Sequence, residues 1–307
     1  MNSSSIRWSK IYRHRFLYLM VSPAILLVLL FSYLPLAGWI IAFKNYQIGL
    51  SVWTAKWIGF EQFKSFLFQS SDYAYLITNT LVMNITSIIV NLVTAVIFAI
   101  LINEIRNKKF AKLVQTISFF PFFISWVIVY SIMSALFGAS TGAFNQTLIS
   151  AGLIDEGMNI LGDPKYAWGL IVCLQLWKYL GYNGVIFIAS IASISPDQYE
   201  AADIDGASRF QKIIYITIPS LMPTFVVMLI MNSGWILNSN FDLFYLFMNP
   251  TNWSKMEVLD MYIFKYGLQL TNYPYATAVG IIKSIVSIII LLGVNLIARK
   301  STGRGIL

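Results

Sequence analysis

The sequence predicts an all-α fold, a polytopic bundle of six membrane-spanning helices. Three observations predict it. Hydrophobic residues make up 58% of the 307-residue chain and charged residues only 11%, well below the roughly 25% charged residues of an ordinary soluble domain. Charge-free runs cover Phe16 to Phe43, Ile77 to Ile102 and Leu113 to Phe137, each longer than the ~20 residues that cross a hydrocarbon core of ~30 Å. Basic residues gather in particular loops, as orientation in a membrane requires.

Taken in order, residues 1–15 form a basic amino-terminal segment with Arg7, Lys10, Arg13, His14 and Arg15. Residues 16–43 are a first span rather than a cleaved signal, because the apolar run exceeds the roughly 7–15 residues of a signal-peptide core. Residues 44–76 form a first external loop, where Trp57, Phe60, Phe63, Phe66 and Leu67 recur at helical spacing. That pattern fits a short helix lying in the outer interface or one meeting a partner. Spans two and three are the second and third charge-free runs. Arg106, Lys108, Lys109 and Lys112 lie between them. Span four, Ala167 to Ile194, contains Lys178; span five, Leu221 to Phe241, ends at Asp242; span six, Tyr275 to Ala298, contains Lys283. Residues 299–307 form a tail with Arg299, Lys300 and Arg304. The basic loops place both termini in the cytoplasm. The net charge of +8 is accounted for by this topology and by anionic lipid, with no reason to invoke nucleic acid.

The loop between spans four and five departs from its basic sisters. It holds Arg209 and Lys212 against Asp197, Glu200, Asp203 and Asp205, an acidic insertion suited to a partner surface. Ser195, Pro196 and Gln198 offer a helix start with proline at the first helical position. Gly206 supplies the left-handed residue that closes this short helix. A second helix is expected from about Ser208 until Pro219 disturbs it.

The run Glu200-Ala201-Ala202, then three residues to Gly206, then nine to Ile216 and a proline at Pro219, resembles the EAA loop of binding-protein-dependent ABC importer permeases. Ile218 stands where that pattern has leucine. Ser32 to Gly38 and Ala42 to Tyr46 look like the corresponding first-span segment of polysaccharide and oligosaccharide permeases, and Trp57 to Phe63 with Asn79-Thr80-Leu81 looks like their entry to span two, with Gln62 in place of asparagine. The resemblance implies the type I ABC importer transmembrane fold, with a five-helix core over residues 77–298 preceded by one accessory span. It implies that residues 195–219 are the coupling helix docking on an ATP-hydrolysing subunit, with Glu200, Ala201, Ala202, Asp205 and Gly206 as coupling residues: Glu200 a charged contact, Ala201 and Ala202 a packed surface and Gly206 the turn. It further implies two related permease chains, two ATP-binding subunits, an extracytoplasmic solute-binding protein received by the loops around residues 138–166 and 249–274, and a carbohydrate substrate.

The chain has no Gly-rich phosphate loop followed by Lys and Ser/Thr, so ATP and Mg are expected on the partner subunits, with no cofactor on this chain. One histidine and one cysteine, Cys173, leave no His- or Cys-rich metal site and no Ser-His-Asp arrangement to build. The chain therefore reads as a transporter subunit of the cytoplasmic membrane and not an enzyme. Polar groups at membrane depth are the remaining clue. Gln175, Lys178, Tyr182, Asn183, Asn232, Trp235 and Asn238 are candidate translocation-path residues, since amides and rings suit the hydroxyls and C–H faces of a sugar. Interhelical hydrogen bonding is the competing role for the amides. Asp242 and Lys283 form a candidate ion pair, either holding the bundle or contacting solute. The rival functions are an ABC permease for another solute such as glycerol phosphate, and an ion-coupled secondary carrier.

Overall fold

The computed structural model describes residues 14–302. The basic residues Arg7, Lys10, Arg13 and Arg304, and with them the cytoplasmic placement of the extreme ends, lie outside the described residues. The main helices are α1 (Arg15–Phe43), α2 (Tyr73–Glu104), α3 (Lys108–Phe123), α4 (Trp126–Phe137), α5 (Pro164–Ala192), α6 (Pro196–Ile204), α7 (Arg209–Ser233), α8 (Phe241–Phe247) and α9 (Tyr273–Thr302). Five helices are long and apolar enough to cross a membrane, or six when α3 and α4 count as one broken span. Among the described residues there is no β-strand; one isolated bridge pairs Lys44 with Trp57.

The charge-free run from Leu113 to Phe137 is not one straight span. It breaks between α3 and α4, which meet at 99°. Pro121 lies in a tight 3₁₀ turn, Phe120–Phe123, and Ile124 is extended, so the helix cannot continue. Ser125 then caps α4, its hydroxyl accepting from the Ile128 amide. Charge-free length alone cannot reveal such a break, because both halves are equally apolar.

Span five is also shifted from its expected limits. α7 starts at Arg209, passes through a π turn at Ile213–Thr217 and carries on through Pro219 to Ser233. Pro219 therefore does not end it. The wider turn immediately before the proline accommodates a residue that has no N–H to give to the preceding turn. After Ser233 the chain unwinds through Gly234 and Asn240, held by turn bonds such as Trp235 N–H to Asn232 O and Asn238 N–H to Trp235 O.

The described residues divide into two compact units. One combines the chain up to Gln69 with Tyr266–Ile281. Its core sets Ala42 against Ala278 and Ile281, flanked by Phe43 and Phe63. The expected short helix in the first loop is present as Glu61–Lys64 with a π turn at Ser65–Gln69. The Lys44 ammonium donates to the Val52 carbonyl at 2.7 Å, and the Phe43 and Trp57 rings stack at 5.6 Å.

The other unit combines Ser70–Lys265 with the chain from Ile282 onward. In its core, Leu92, Ala95 and Ala99 of α2 meet Phe187 and Ile191 of α5 and Leu221 of α7. Small residues allow the close crossings that membrane helices favour. A Cβ on Gly181 would lie 2.2 Å from the Ser118 carbonyl oxygen of α3, and one on Gly184 would lie 2.5 Å from the Phe98 ring of α2. A second core joins Trp126 and Val129 of α4, Ile171 and Leu174 of α5 and Phe244 and Phe247 of α8.

Candidate functional site

α2, α5 and α7 border an open-sided cavity of about 270 Å³. α2 contributes Asn84, Ser87 and Asn91 from one face. α5 contributes Gln175, Tyr179, Tyr182 and Asn183. α7 and the unwound stretch after it contribute Asn232, Trp235 and Asn238. None of the lining side chains is ionisable except the two tyrosines.

Each group reaches the cavity for a local reason. Asn84, Ser87 and Asn91 are spaced three and four residues apart, which stacks them along one face of α2. Asn84 spends its amide N–H groups on the Ile236 carbonyl at 2.9 Å and the Ser239 hydroxyl at 3.1 Å, tying α2 to the unwound stretch. That stretch is also held by Asp260, whose Oδ2 accepts from the Ser239 amide at 2.7 Å. Trp235 is consequently carried on a turn and not on a helix, and stays 70% exposed. Tyr182 is backed by Phe122 at the α3–α4 break, the rings parallel within 9° at 4.3 Å. The cavity therefore offers amides and hydroxyls beside aromatic faces, a combination that satisfies hydroxyls and stacks on apolar ring faces.

Six of the seven candidate path residues border this cavity: Gln175, Tyr182, Asn183, Asn232, Trp235 and Asn238. Lys178 does not. It is 5% exposed, and its ammonium donates to the carbonyls of Pro121 at 3.3 Å, Phe122 at 3.2 Å and Ile124. It also lies 5.1 Å from the Trp126 ring centre. Lysine here supplies the donors that the broken helix lacks, at the end of α3 where the helix dipole attracts a cation. The sequence reading missed Asn84, Ser87 and Asn91; their three-and-four spacing inside an apolar run was the available signal.

The Asp242–Lys283 ion pair is not formed. Lys283 of α9 pairs instead with Asp260 Oδ1. Asp242 is exposed in the first turn of α8, where a carboxylate favours the positive end of the helix dipole. The reason is the early end of α7, since Asp242 was placed at the end of a span that stops before it.

The hairpin has the expected helix-turn-helix form. α6 closes in a Schellman motif: the Ala207 amide donates to Ala202 O at 2.9 Å, the Gly206 amide to Asp203 O at 3.1 Å, and Gly206 has φ +73°. This explains why alanine and glycine stand four apart. The capping box falls on α7 instead of α6: Ser208 O–H and Gln211 side chains accept each other's backbone amides, while Ser195 makes no side-chain cap bond. Lys212 pairs with Asp203, and Tyr199 shares a hydrogen bond with Thr217 at 2.9 Å. These contacts clamp the two arms together. Glu200, Ala201, Asp205 and Gly206 are exposed, Ala202 is half-buried, and Ile204 presents an apolar side chain to the outside.

A broken-span helical bundle with a polar cavity between spans and a clamped hairpin at one end defines a multi-pass membrane transport subunit. The chain belongs to the family described as the binding-protein-dependent transport system inner membrane component, whose model matches residues 92–303. It is 37% identical over 302 residues to protein LplB of Bacillus subtilis (strain 168), covering 98% of this chain and 94% of LplB. It is 34% identical over 297 residues to the polygalacturonan/rhamnogalacturonan transport system permease protein YteP of the same organism, covering 97% of this chain and 92% of YteP. Its fold matches the crystal structure of a bacterial ABC transporter that imports the acidic polysaccharide alginate, with TM-score 0.88, 36% identity, and 96% of this chain and 99% of that chain covered. A second alginate transporter structure, in complex with a periplasmic protein bound to alginate pentasaccharide, matches with TM-score 0.88 and 35% identity over 97% of this chain and 99% of that chain. The fold is thus the membrane fold of an ABC importer.

Proposed function

We propose that this chain is one of two permease subunits, paired as a heterodimer, of an ABC importer that carries an oligosaccharide across the cytoplasmic membrane by alternating access. An extracytoplasmic binding protein delivers the solute, and two ATP-binding subunits, which hold ATP and Mg, drive the cycle. The carbohydrate assignment draws on relatives named for polygalacturonan, rhamnogalacturonan and alginate. The observation that carries it is the cavity itself, where amides from three helices converge with the Tyr182 and Trp235 rings.

The α6–α7 hairpin is the coupling element in this reading, with both termini on its cytoplasmic side. Ile204, with Glu200 and Asp205 around it, is the exposed surface that an ATP-binding subunit grips. The Schellman turn and the Lys212–Asp203 clamp keep the hairpin stiff, so displacement is passed to α7. The 1–15, 16–43, 44–76, 77–298 and 299–307 division, with 195–219 inserted in the core, is the domain organisation that goes with it.

The test is ATP-driven uptake by the complete transporter in proteoliposomes, with wild type and Gly206→Val compared. Wild type should accumulate oligosaccharide only with ATP and the binding protein, and Gly206→Val should keep its subunits yet lose solute-dependent ATP hydrolysis and uptake. Accumulation driven by an ion gradient without ATP, or full uptake by the variant, overturns the reading.

A further inference from the structure

α3 begins with a cluster of cations beside an exposed apolar stripe. Arg106, Lys108, Lys109 and Lys112 are all exposed, and Glu104 is the one acidic residue between positions 101 and 120. None of the four cations enters an ion pair among the described residues. Lys112 follows Lys108 by four residues and Lys109 by three, spacings at which like charges on a helix lie about 5–6 Å apart at Cβ and repel. They also stand at the positive end of the helix dipole, with no acidic residue in the first turn, where a cation is disfavoured. Nor do they cap the helix: Asn107 does, its Oδ1 accepting from the Lys109 and Phe110 amides at 3.0 and 3.2 Å. The cluster therefore works against the helix that carries it, and an anion brought to it relieves both repulsions. Orientation in the membrane asks only that cations gather at this end; it gives no reason for the stripe next to them. Phe110, Leu113 and Ile117 recur at three and four residues, and each is more than half exposed. On the opposite face Ala111 is buried and the Ser118 backbone meets Gly181 of α5. Lys109 stands one turn before Leu113, so cations and stripe adjoin.

We propose that this surface binds an anionic phospholipid, its headgroup phosphate held by Arg106, Lys108, Lys109 and Lys112 and an acyl chain lying along Phe110, Leu113 and Ile117. Charge selects the ligand class, because a zwitterionic headgroup brings a cation of its own and leaves the cluster uncompensated. The stripe selects a lipid over a soluble anion, which has no apolar part to lay on it. Depth agrees: α3 rises about 12 Å from Lys109 to Ile117, the reach from a headgroup into the near half of a hydrocarbon core of ~30 Å. α3 and α5 run antiparallel, since Ser118 meets Gly181 and, further along α3, Pro121, Phe122 and Ile124 meet Lys178. Lys108 accordingly lies at the end of the bundle from which the α6–α7 hairpin leaves, and the lipid is drawn from the leaflet on that side. The inference is independent of which solute the chain carries.

The experiment titrates the complete detergent-purified transporter with dioleoylphosphatidylglycerol, dioleoylphosphatidylcholine or inorganic phosphate and reads the rise in unfolding temperature. Two variants remove the same charge from different places: Lys109→Gln with Lys112→Gln on α3, and Arg299→Gln with Lys300→Gln in the last turn of α9. Wild type should be stabilised by phosphatidylglycerol and not by the other two. At about fivefold per cation near an anionic headgroup, the α3 variant should need about thirtyfold more phosphatidylglycerol, while the α9 variant stays within about twofold of wild type. Equal losses in both variants would mean that any cation at this end serves, and an α3 variant that titrates like wild type would leave the cluster only its orienting role. Either result overturns the proposal, as does equal stabilisation of wild type by phosphatidylcholine or by inorganic phosphate. Should the α3 double variant not assemble, Lys112→Gln alone decides, with an expected shift of about fivefold.

Discussion

Two interruptions of helix in this chain are built in opposite ways. At residues 204–208 the hairpin turn draws its partners from within its own segment: Gly206 takes the left-handed conformation, Ala207 and Gly206 close onto Ala202 and Asp203, and Ser208 and Gln211 cap the next helix. At the α3–α4 break, Pro121 and Ile124 stop the helix; the Pro121 carbonyl takes the Ile124 amide, and the Phe122 and Ile124 carbonyls are met by Lys178 from a helix more than fifty residues further along. A helix end exposed to water can cap itself with short-range groups. One at membrane depth has no water to help it and depends on a donor delivered by tertiary packing.

That contrast gives a ranked set of expectations. The largest effect belongs to Lys178→Met, which leaves the carbonyls of Phe122 and Ile124 without their donor, while the Pro121 carbonyl keeps the Ile124 amide at 3.1 Å. With each of the two unpaired acceptors costing about 1–3 kcal/mol, the loss should be about 2–6 kcal/mol, read as a lower unfolding temperature of the purified transporter. An unchanged temperature would mean that the break is as self-sufficient as the hairpin. Next comes Gly181→Val, whose Cβ would meet the Ser118 and Phe119 backbone; overpacking of this kind costs about 1–3 kcal/mol in the same measurement. Gly206→Val places a branched residue at φ +73° with open space around it, so strain of about 1–2 kcal/mol should appear as faster hydrogen exchange confined to residues 196–212. Exchange spreading into α5 would show the turn to be less local than described. The smallest pair separates the two serines. Ser208→Ala should lose about 1 kcal/mol with its cap bond. Ser195→Ala, which gives up no side-chain cap bond, should stay within about 0.5 kcal/mol by the same exchange readout.

What could be read from the sequence follows the same division. The spans were visible because the membrane imposes length and apolarity on each helix separately, and α2, α5 and α9 lie within a few residues of their expected limits. The hairpin was visible because Ala202, Gly206 and the proline of helix entry act through neighbouring residues. Ser195 with Gln198 offers the same capping pattern as Ser208 with Gln211, and the structure forms the box only at Ser208. The partner of Lys283 was not visible, because it depends on where α7 ends, and an apolar run gives no sign that a helix unwinds at Gly234. Lys178 looked like a solute contact because a lone cation in a span has no partner in its own sequence; its partners are backbone carbonyls, which every residue has. The Asn84, Ser87 and Asn91 face is hard to read because three polar side chains scattered through a 26-residue charge-free run, Ile77 to Ile102, leave it apolar as a whole.

The Gly181 crossing sets a rule for movement. Where the two backbones approach with no side chain between them, α3 and α5 lie closer than any residue larger than glycine at position 181 would allow. A displacement of either helix is therefore felt by the other through backbone and not through a flexible side chain. The unwound strap after α7 is fastened from two sides, by Asp260 to the Ser239 amide and by Asn84 to the Ile236 carbonyl and Ser239 hydroxyl, and keeps short turn bonds where a helix would have its ladder.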